Sequence, residues 1–451
     1  MGTVGTDDSG EQQLRTRALA GDVDAMFNLA VQLDDRGQRE GDDSAEHWFA
    51  LAALAGNADS MYGLAVLRYE RGIVEGDDGA EHWFRKAGGA GLATAMSNLG
   101  SLLNHRGVIE GDDGAQYWYR RAADMGDTVA MYNLGVLRDE RGVVDGDDGA
   151  TYWWRCAADA GDAVAMYSLG VVSGQRGVIE GDSGAESWFR AAAEAGNSDA
   201  MYALGRINDQ RGVIEGDDGA EFWFRRAANA GHAASMYNLG VLRDDRAAVD
   251  GGARAEYWYR GAAKAGHAVA MYRLGRLRYD RGVVSGGDGA EHWMRRAAEA
   301  GDADAMYSLG VLRGQRGVIE GEDGAEQWWL RAANQGDTQA MVGLGALREE
   351  RGLIDGDDGA EKWWRMAAGV GNPDGMTRLG LLMKGRGAID GDDSAETWFR
   401  KAADAGAPEA MYNLGVVREE QGVVDGLDGS EHWFGRACDR GVRRACARVR
   451  R

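Results

Sequence analysis

The stretch Glu-Gly-Asp-Asp-Gly-Ala-Glu-His-Trp at 75–83 gathers Glu75, Asp77, Asp78 and Glu81 around two glycines. Carboxylates at that density suit a hard divalent cation. An EF-type calcium loop, however, needs alternating aspartates, a glycine and a later bidentate glutamate, and that order is missing. The spacing of Asp78 and Glu81 is that of a capping box, in which the aspartate accepts from the first helical turn and the glutamate reaches back. Helix capping is the expectation for this acidic stretch, with cation binding by a stacked acidic edge as the alternative.

Other residue types with chemical potential recur as regularly. Trp48, Trp83, Trp118 and their successors down to Trp433 hold one position. Such a ladder could stack bases or sugars, but it shares a helical face with alanines and so belongs to a core. The stripe that includes Met131, Met166 and Met201 is core for the same reason. His47, His82, His292 and His432 share a position, whereas His232 and His267 replace a capping aspartate. No histidine or cysteine spacing fits zinc, and no nucleophile elbow, Walker loop or dinucleotide glycine motif occurs. The chain is expected to be no enzyme, with no catalytic residue, cofactor or metal site.

The elements that carry these residues follow from a strict period. Gly41, Gly76, Gly111 and so on to Gly426 stand 35 residues apart without insertion or deletion. Eleven full repeats are read at 41–425, a degenerate N-terminal capping repeat at 6–40 and a partial C-terminal capping repeat at 426–451, all in a single domain. In 286–320, Ala290, Trp293, Met294, Ala297 and Ala298 share one helical face, Gly301 stops that helix and Asp302 caps a second. Ala305, Met306, Leu309 and Leu312 share a face of the second helix, which Gly317 closes. Pro373 and Pro408 both fall at the first position of a second helix, where proline is tolerated. Helices this short need neighbours, so the expected fold is all-α, an α/α superhelical solenoid of tandem 35-residue helix-turn-helix repeats.

With 51 Lys+Arg against 73 Asp+Glu, the 451-residue chain carries a formal charge of −22, which argues against a nucleic-acid surface over its body. Three cysteines make no disulfide framework, so a reducing compartment is expected. No secretion signal or membrane span is read, and although Gly2 and Thr6 satisfy a loose myristoylation pattern, no basic cluster supports it. A cytoplasmic protein is the expectation, and the preference for arginine over lysine hints at a bacterial source. The repeat beginning at Gly251 departs from the rest, with Ala247 for the closing glycine and Arg254 in the cap. The basic end from Arg436 to Arg451 reads as a last helix capping the stack, able to dock on the acidic edge.

The run 130–161 resembles the Sel-one-like repeat family, a branch of the tetratricopeptide-like helical repeats. Ala130, Leu134, Gly135, Gly142, Val143, Ala150, Trp153, Trp154, Ala157, Ala158 and Gly161 match its pattern. The repeat departs from the family at Arg138 to Arg141, where an aromatic and a second glycine are usual and where this repeat is one residue shorter. Cysteine-rich relatives carry a disulfide in each repeat, and none is expected here. The resemblance implies an adaptor or scaffold without naming its partner.

Between the fixed positions one strip varies. It comprises His82, Tyr117, Tyr152, Phe222, Tyr257 and His292 directly before the tryptophan, and Lys86, Arg121, Arg226 and Arg296 four residues further on. Exposed aromatics and arginines have the composition of an interface. This strip is the candidate groove for a protein or peptide partner, a freely varying solvent face being the alternative. The function expected is a non-catalytic scaffold. A divalent-cation-responsive structural protein and an acidic regulatory or inhibitor subunit are the alternatives, and a small-molecule ligand is not expected.

Overall fold

A computed structural model describes residues 8–244 and 253–449. The expectations placed on Gly2, Thr6, Ala247 and Gly251 lie outside the described residues. Among the described residues every regular element is a helix, and the fold is an all-α solenoid of tandem helix-turn-helix repeats. Two kinds of helix alternate. A Trp helix such as Ala290–Glu299 spans 10 residues, and a Met helix such as Ala303–Gln315 spans 13.

Each hairpin forms for reasons visible in its residues. Ala290, Trp293, Met294, Ala297 and Ala298 are all buried on one face. The Trp helix ends where Gly301 takes a φ of 95°, a left-handed value that side chains resist. That turn lets the Asp302 N–H donate to the Ala297 carbonyl at 3.0 Å. Asp302 then caps the Met helix, its side chain accepting from the Ala305 N–H at 2.8 Å. Ala305, Met306, Leu309 and Leu312 are buried in turn. Pro373 and Pro408 begin their Met helices directly after Asn372 and Ala407, and His267 caps as aspartate does, accepting from the Ala270 N–H at 3.2 Å.

The Trp helices start differently, and here the capping-box expectation fails. Helix Ala80–Gly89 opens at Gly79, one residue past Asp78, with no side-chain cap. Its first N–H groups, those of Ala80 and Glu81, donate to the Ile73 and Val74 carbonyls at 2.9 and 3.1 Å. The preceding loop therefore caps the helix with its own backbone, and Asp78 and Glu81 are released for other work. Ser44 and Ser394, which replace the cap glycine in two repeats, accept from the helix directly and so mark the true cap position.

A second correction concerns the cysteines. Cys438 of helix Ser430–Asp439 and Cys446 of helix Arg443–Val449 form a disulfide, which ties the last helix to its neighbour and removes the basis for expecting a reducing compartment. Cys156 is free. Arg444 and Arg448 of the same last helix pair with Glu409 and Glu419, so this basic helix docks on acidic residues of Pro408–Glu420.

The described residues divide into two compact units, one ending at Arg226 and the other beginning at Ala227. In the first, a buried cluster extends from Ala18 to Trp153. In the second, one cluster extends from Ala255 to Ala367 and another from Met383 to Ala445. No helix among the described residues is long and apolar enough to cross a membrane.

The Met helices touch the following Trp helices through glycine. A Cβ added to Gly100 would stand 2.7 Å from the ring of Tyr119, whereas one added to Gly89 would meet nothing within 4 Å. Gly100→Ala should therefore cost about 1–3 kcal/mol through overpacking, while Gly89→Ala should stabilise by about 0.5–1 kcal/mol. Denaturant melts of the two variants check both signs.

Candidate functional site

With the helix start satisfied by backbone, the loop aspartate five residues before the tryptophan turns inward to it wherever it is present among the described residues. The buried indole N–H of Trp328 donates to Asp323 Oδ1 at 3.0 Å. The same bond joins Trp83 to Asp78 and Trp118 to Asp113, both at 2.9 Å, and recurs through Trp433 and Asp428 at 3.0 Å. A buried indole N–H without an acceptor is costly, so this aspartate is part of the core's polar satisfaction.

Two arginines of the preceding repeat converge on the same carboxylate. Arg295 of the Trp helix reaches Asp323 at 2.6 Å, and Arg313 of the Met helix pairs with it as well. Arg313 also holds Glu291 at 2.9 Å, and Arg316 holds Glu291 at 2.5 Å. Glu291 corresponds to Glu81, which pairs with Arg85 at 2.9 Å and with Arg106. Within each unit, then, the carboxylates once read as caps or cation ligands alternate with guanidinium groups in a ladder from repeat to repeat. Arg348, only 5% exposed, joins Glu326 and Asp358, each at 2.7 Å. Among the described residues no group of three or more His, Cys, Asp or Glu is arranged to hold a metal ion.

The ladder also sets protonation. The hydrogen bond from Arg400 holds the Asp428 carboxyl down to about 2, against the effect of partial burial and with help from Trp433. Asp323 is lowered likewise, first by its bond from Arg295. Asp302 and Asp337 move the other way because burial at the Met-helix cap raises them.

The variable strip lies over the outer side of the tryptophans. His82 meets Trp83 edge to face at 5.2 Å, Tyr117 meets Trp118 at 5.2 Å, and Tyr152 meets Trp153 at 5.1 Å. Phe222, Tyr257 and His292 sit on their own tryptophans in the same way, each at 5.1 Å. The cations cover the indole faces: Lys86 at 4.9 Å, Arg121 at 5.2 Å, Arg226 at 5.1 Å and Arg296 at 5.3 Å. Tyr117, Tyr152, Phe222 and Tyr257 remain 38%, 43%, 37% and 69% exposed. Tyr117 and Arg121 also wall an open recess of about 640 Å³ that Glu110, Gln116 and Arg141 complete.

Sequence reasoning missed the aspartate–indole–arginine node. Two repeats lack the node aspartate, with Ala253 in one and Ser183 in the other, and the second held the clue because Ser173 replaces the Met-helix arginine of the repeat before it. There Trp188 is only half-buried and Arg155 is exposed.

The model of the Sel1 repeat matches the chain in eleven segments, contiguously from 23–57 to 303–337 and again at 373–406 and 408–442. The chain belongs to the Sel1 repeat family. Its Sel1 frame opens on the Met helix rather than on the acidic loop. Among solved structures, the chain is similar to c5321, a protective antigen of uropathogenic Escherichia coli strains displaying the SLR fold. The identity is 25% and the TM-score 0.62, over 98% of this chain and 89% of that one. It is also similar to a Sel1 repeat protein from Oxalobacter formigenes, at 27% identity and a TM-score of 0.52, over 67% of this chain and 91% of that one. No curated protein matches the chain. Sel1 repeat proteins are generally protein-interaction scaffolds.

Because the carboxyls of Asp148, Asp218, Asp323, Asp358, Asp393 and Asp428 in this Sel1 chain sit below the ordinary 3.8, the stability they add is present above that value and is lost as pH falls through their lowered values, about 2 for Asp428. Melting temperature should drop steeply over that interval. Asp428→Asn should cost about 1 kcal/mol at neutral pH, as befits a partly exposed pair, and make the acid drop shallower. Thermal melts of both proteins across the interval check this.

Proposed function

We propose that this Sel1 repeat protein is a non-catalytic scaffold that binds a partner polypeptide along the strip formed by His82, Lys86, Tyr117, Arg121, Tyr152, Phe222, Arg226, Tyr257, His292 and Arg296. The observation that carries the proposal is the recess beside Tyr117 and Arg121, where an exposed tyrosine and a guanidinium are both braced against one buried tryptophan. Aromatic and arginine side chains dominate binding energy at interfaces, and side chains already held in place lose little further entropy on contact. Packing alone needs the tryptophan; it does not need an aromatic of changing identity exposed on its edge. The partner in this reading is a protein or peptide, with no part for nucleic acid or membrane.

The triple change of Tyr117, Tyr152 and Phe222 to alanine tests the reading. The variant should keep its helical content and lower the affinity of a protein retained by the unaltered chain by about tenfold or more. Pull-downs from the native cell identify that protein, and titration of the purified pair measures the loss. Equal affinity of both forms would remove the strip from the contact.

A further inference from the structure

The Met helices carry a feature outside the strip. Neighbouring Met helices meet directly within each unit, as when Asn98 donates to the Tyr62 hydroxyl at 3.2 Å and when the Tyr272 and Ser308 hydroxyls lie 3.3 Å apart. Beside each of these contacts, between the two Met helices, the surface opens into a slot. In the first unit a slot of about 390 Å³ has Phe84 as floor, Tyr62, Val66, Tyr69 and Leu102 as walls, and Glu70 and His105 at its edge. In the second unit a slot of about 230 Å³ has Met294 as floor, Tyr279, Tyr307, Val311 and Leu312 as walls, and Arg276 and Asp280 at its edge.

The two slots occupy the same place in their repeats. Phe84 corresponds to Met294, Leu102 to Leu312, and the pair Tyr69-Glu70 to Tyr279-Asp280. At the position of Tyr69 the other Met helices carry Asp34, Asn104, Asp139, Gly174, Asp209, Asp244, Gly314, Glu349, Lys384 or Glu419. A tyrosine thus stands there in the two repeats that hold these slots. Tyr69 and Tyr279 are 51% and 40% exposed, more than packing within a hairpin asks of a tyrosine.

The ends of the Met helices around the slots are acidic, with Arg276 the cation at the edge of the second slot. Helices Ala58–Glu70, Thr128–Glu140, Ala268–Asp280 and Thr338–Glu350 all end on a carboxylate, at the end where the helix dipole disfavours negative charge. Asp139, Glu140, Asp209 and Glu350 form no ion pair among the described residues. Glu70 is shared with Arg39 at 2.7 Å in a pair exposed on both sides, which an added cation can join. Arg276 is turned back onto the Tyr272 hydroxyl at 3.3 Å, leaving its stem against the second slot and Asp280 facing outward beside it. The exposed carboxylates at these helix ends give an added cation partners next to an apolar hole.

We propose that each slot takes a large apolar side chain of a partner polypeptide whose flanking residues are lysine or arginine. The apolar side chain fills the space over Phe84 or Met294, and the flanking cations meet the carboxylates that close the Met helices.

The test uses the full chain and labelled fifteen-residue peptides, with fluorescence anisotropy as readout. One peptide carries a central phenylalanine among spaced lysines, a second has alanine for that phenylalanine, and a third has glutamates for the lysines. The phenylalanine–lysine peptide should bind, and each of the other two should bind at least about tenfold more weakly. The double variant Tyr69→Ala and Tyr279→Ala should weaken the first peptide by a similar factor while its melting stays near that of the unaltered chain. The strip variant with alanine at Tyr117, Tyr152 and Phe222 should bind this peptide normally, which keeps the two surfaces distinguishable. Equal binding of the alanine peptide, or indifference to the tyrosine changes, would reduce the contact to general attraction between opposite charges and overturn the proposal. Preference for the glutamate peptide, or no binding of any peptide, would overturn it too.

Discussion

The indole N–H of Trp328 and its counterparts finds its acceptor five residues upstream, unlike the buried N–H groups of Trp154 and Trp364, which have no partner. That bond shapes the repeat. The loop has to fold back so that Asp323 lies beside Trp328, which places the loop carbonyls over the first turn of the Trp helix and lets them cap it. A carboxylate engaged by an indole then becomes the anchor for Arg295 and Arg313, both from the repeat before. One polar contact in the core thereby links loop, helix start and neighbouring repeat.

The arrangement accounts for the acidity of the loops without assigning them a ligand. Where a loop carries two successive aspartates they divide their roles: Asp78 faces Trp83, while Asp77 lies exposed. Because every node joins only adjacent repeats, coupling is between nearest neighbours, the regime in which a repeat protein tolerates a local lesion. The chain contains such a lesion. Around Ser183 the ion pairs of the node are missing and Trp188 loosens, yet Ala185, Phe189, Ala192 and Ala193 stay buried. Apolar packing is sufficient to hold that hairpin, and the node adds register to it.

Much of this was legible in the sequence, and the boundary of legibility is physical. The hairpins could be read because helix faces, left-handed glycines and N-cap aspartates act within a few residues, as Gly301 and Asp302 do. The tryptophan stripe could be read as core because Trp293 and Ala297 share a face. Asp78 was misread because its distance from Glu81 is that of a capping box, and spacing cannot reveal that the loop backbone already satisfies the helix. The pairing of Cys438 with Cys446 was hidden for a related reason, since two turns of sequence separate them and only the hairpin brings them together. The slots beside Tyr69 and Tyr279 are not legible in the sequence because two neighbouring Met helices and the Trp helix between them must pack together to form each one.

The central claim is that the loop aspartate serves the tryptophan rather than the helix start. A double-mutant cycle between Asp323→Ala and Trp328→Phe measures this directly, because phenylalanine keeps most of the apolar bulk and removes the N–H. The account predicts that the two changes interact by about 1–2 kcal/mol, the range of a hydrogen bond to a charged acceptor. Effects that simply add, within about 0.5 kcal/mol, would show that the aspartate stabilises the repeat independently of the indole and would contradict the account.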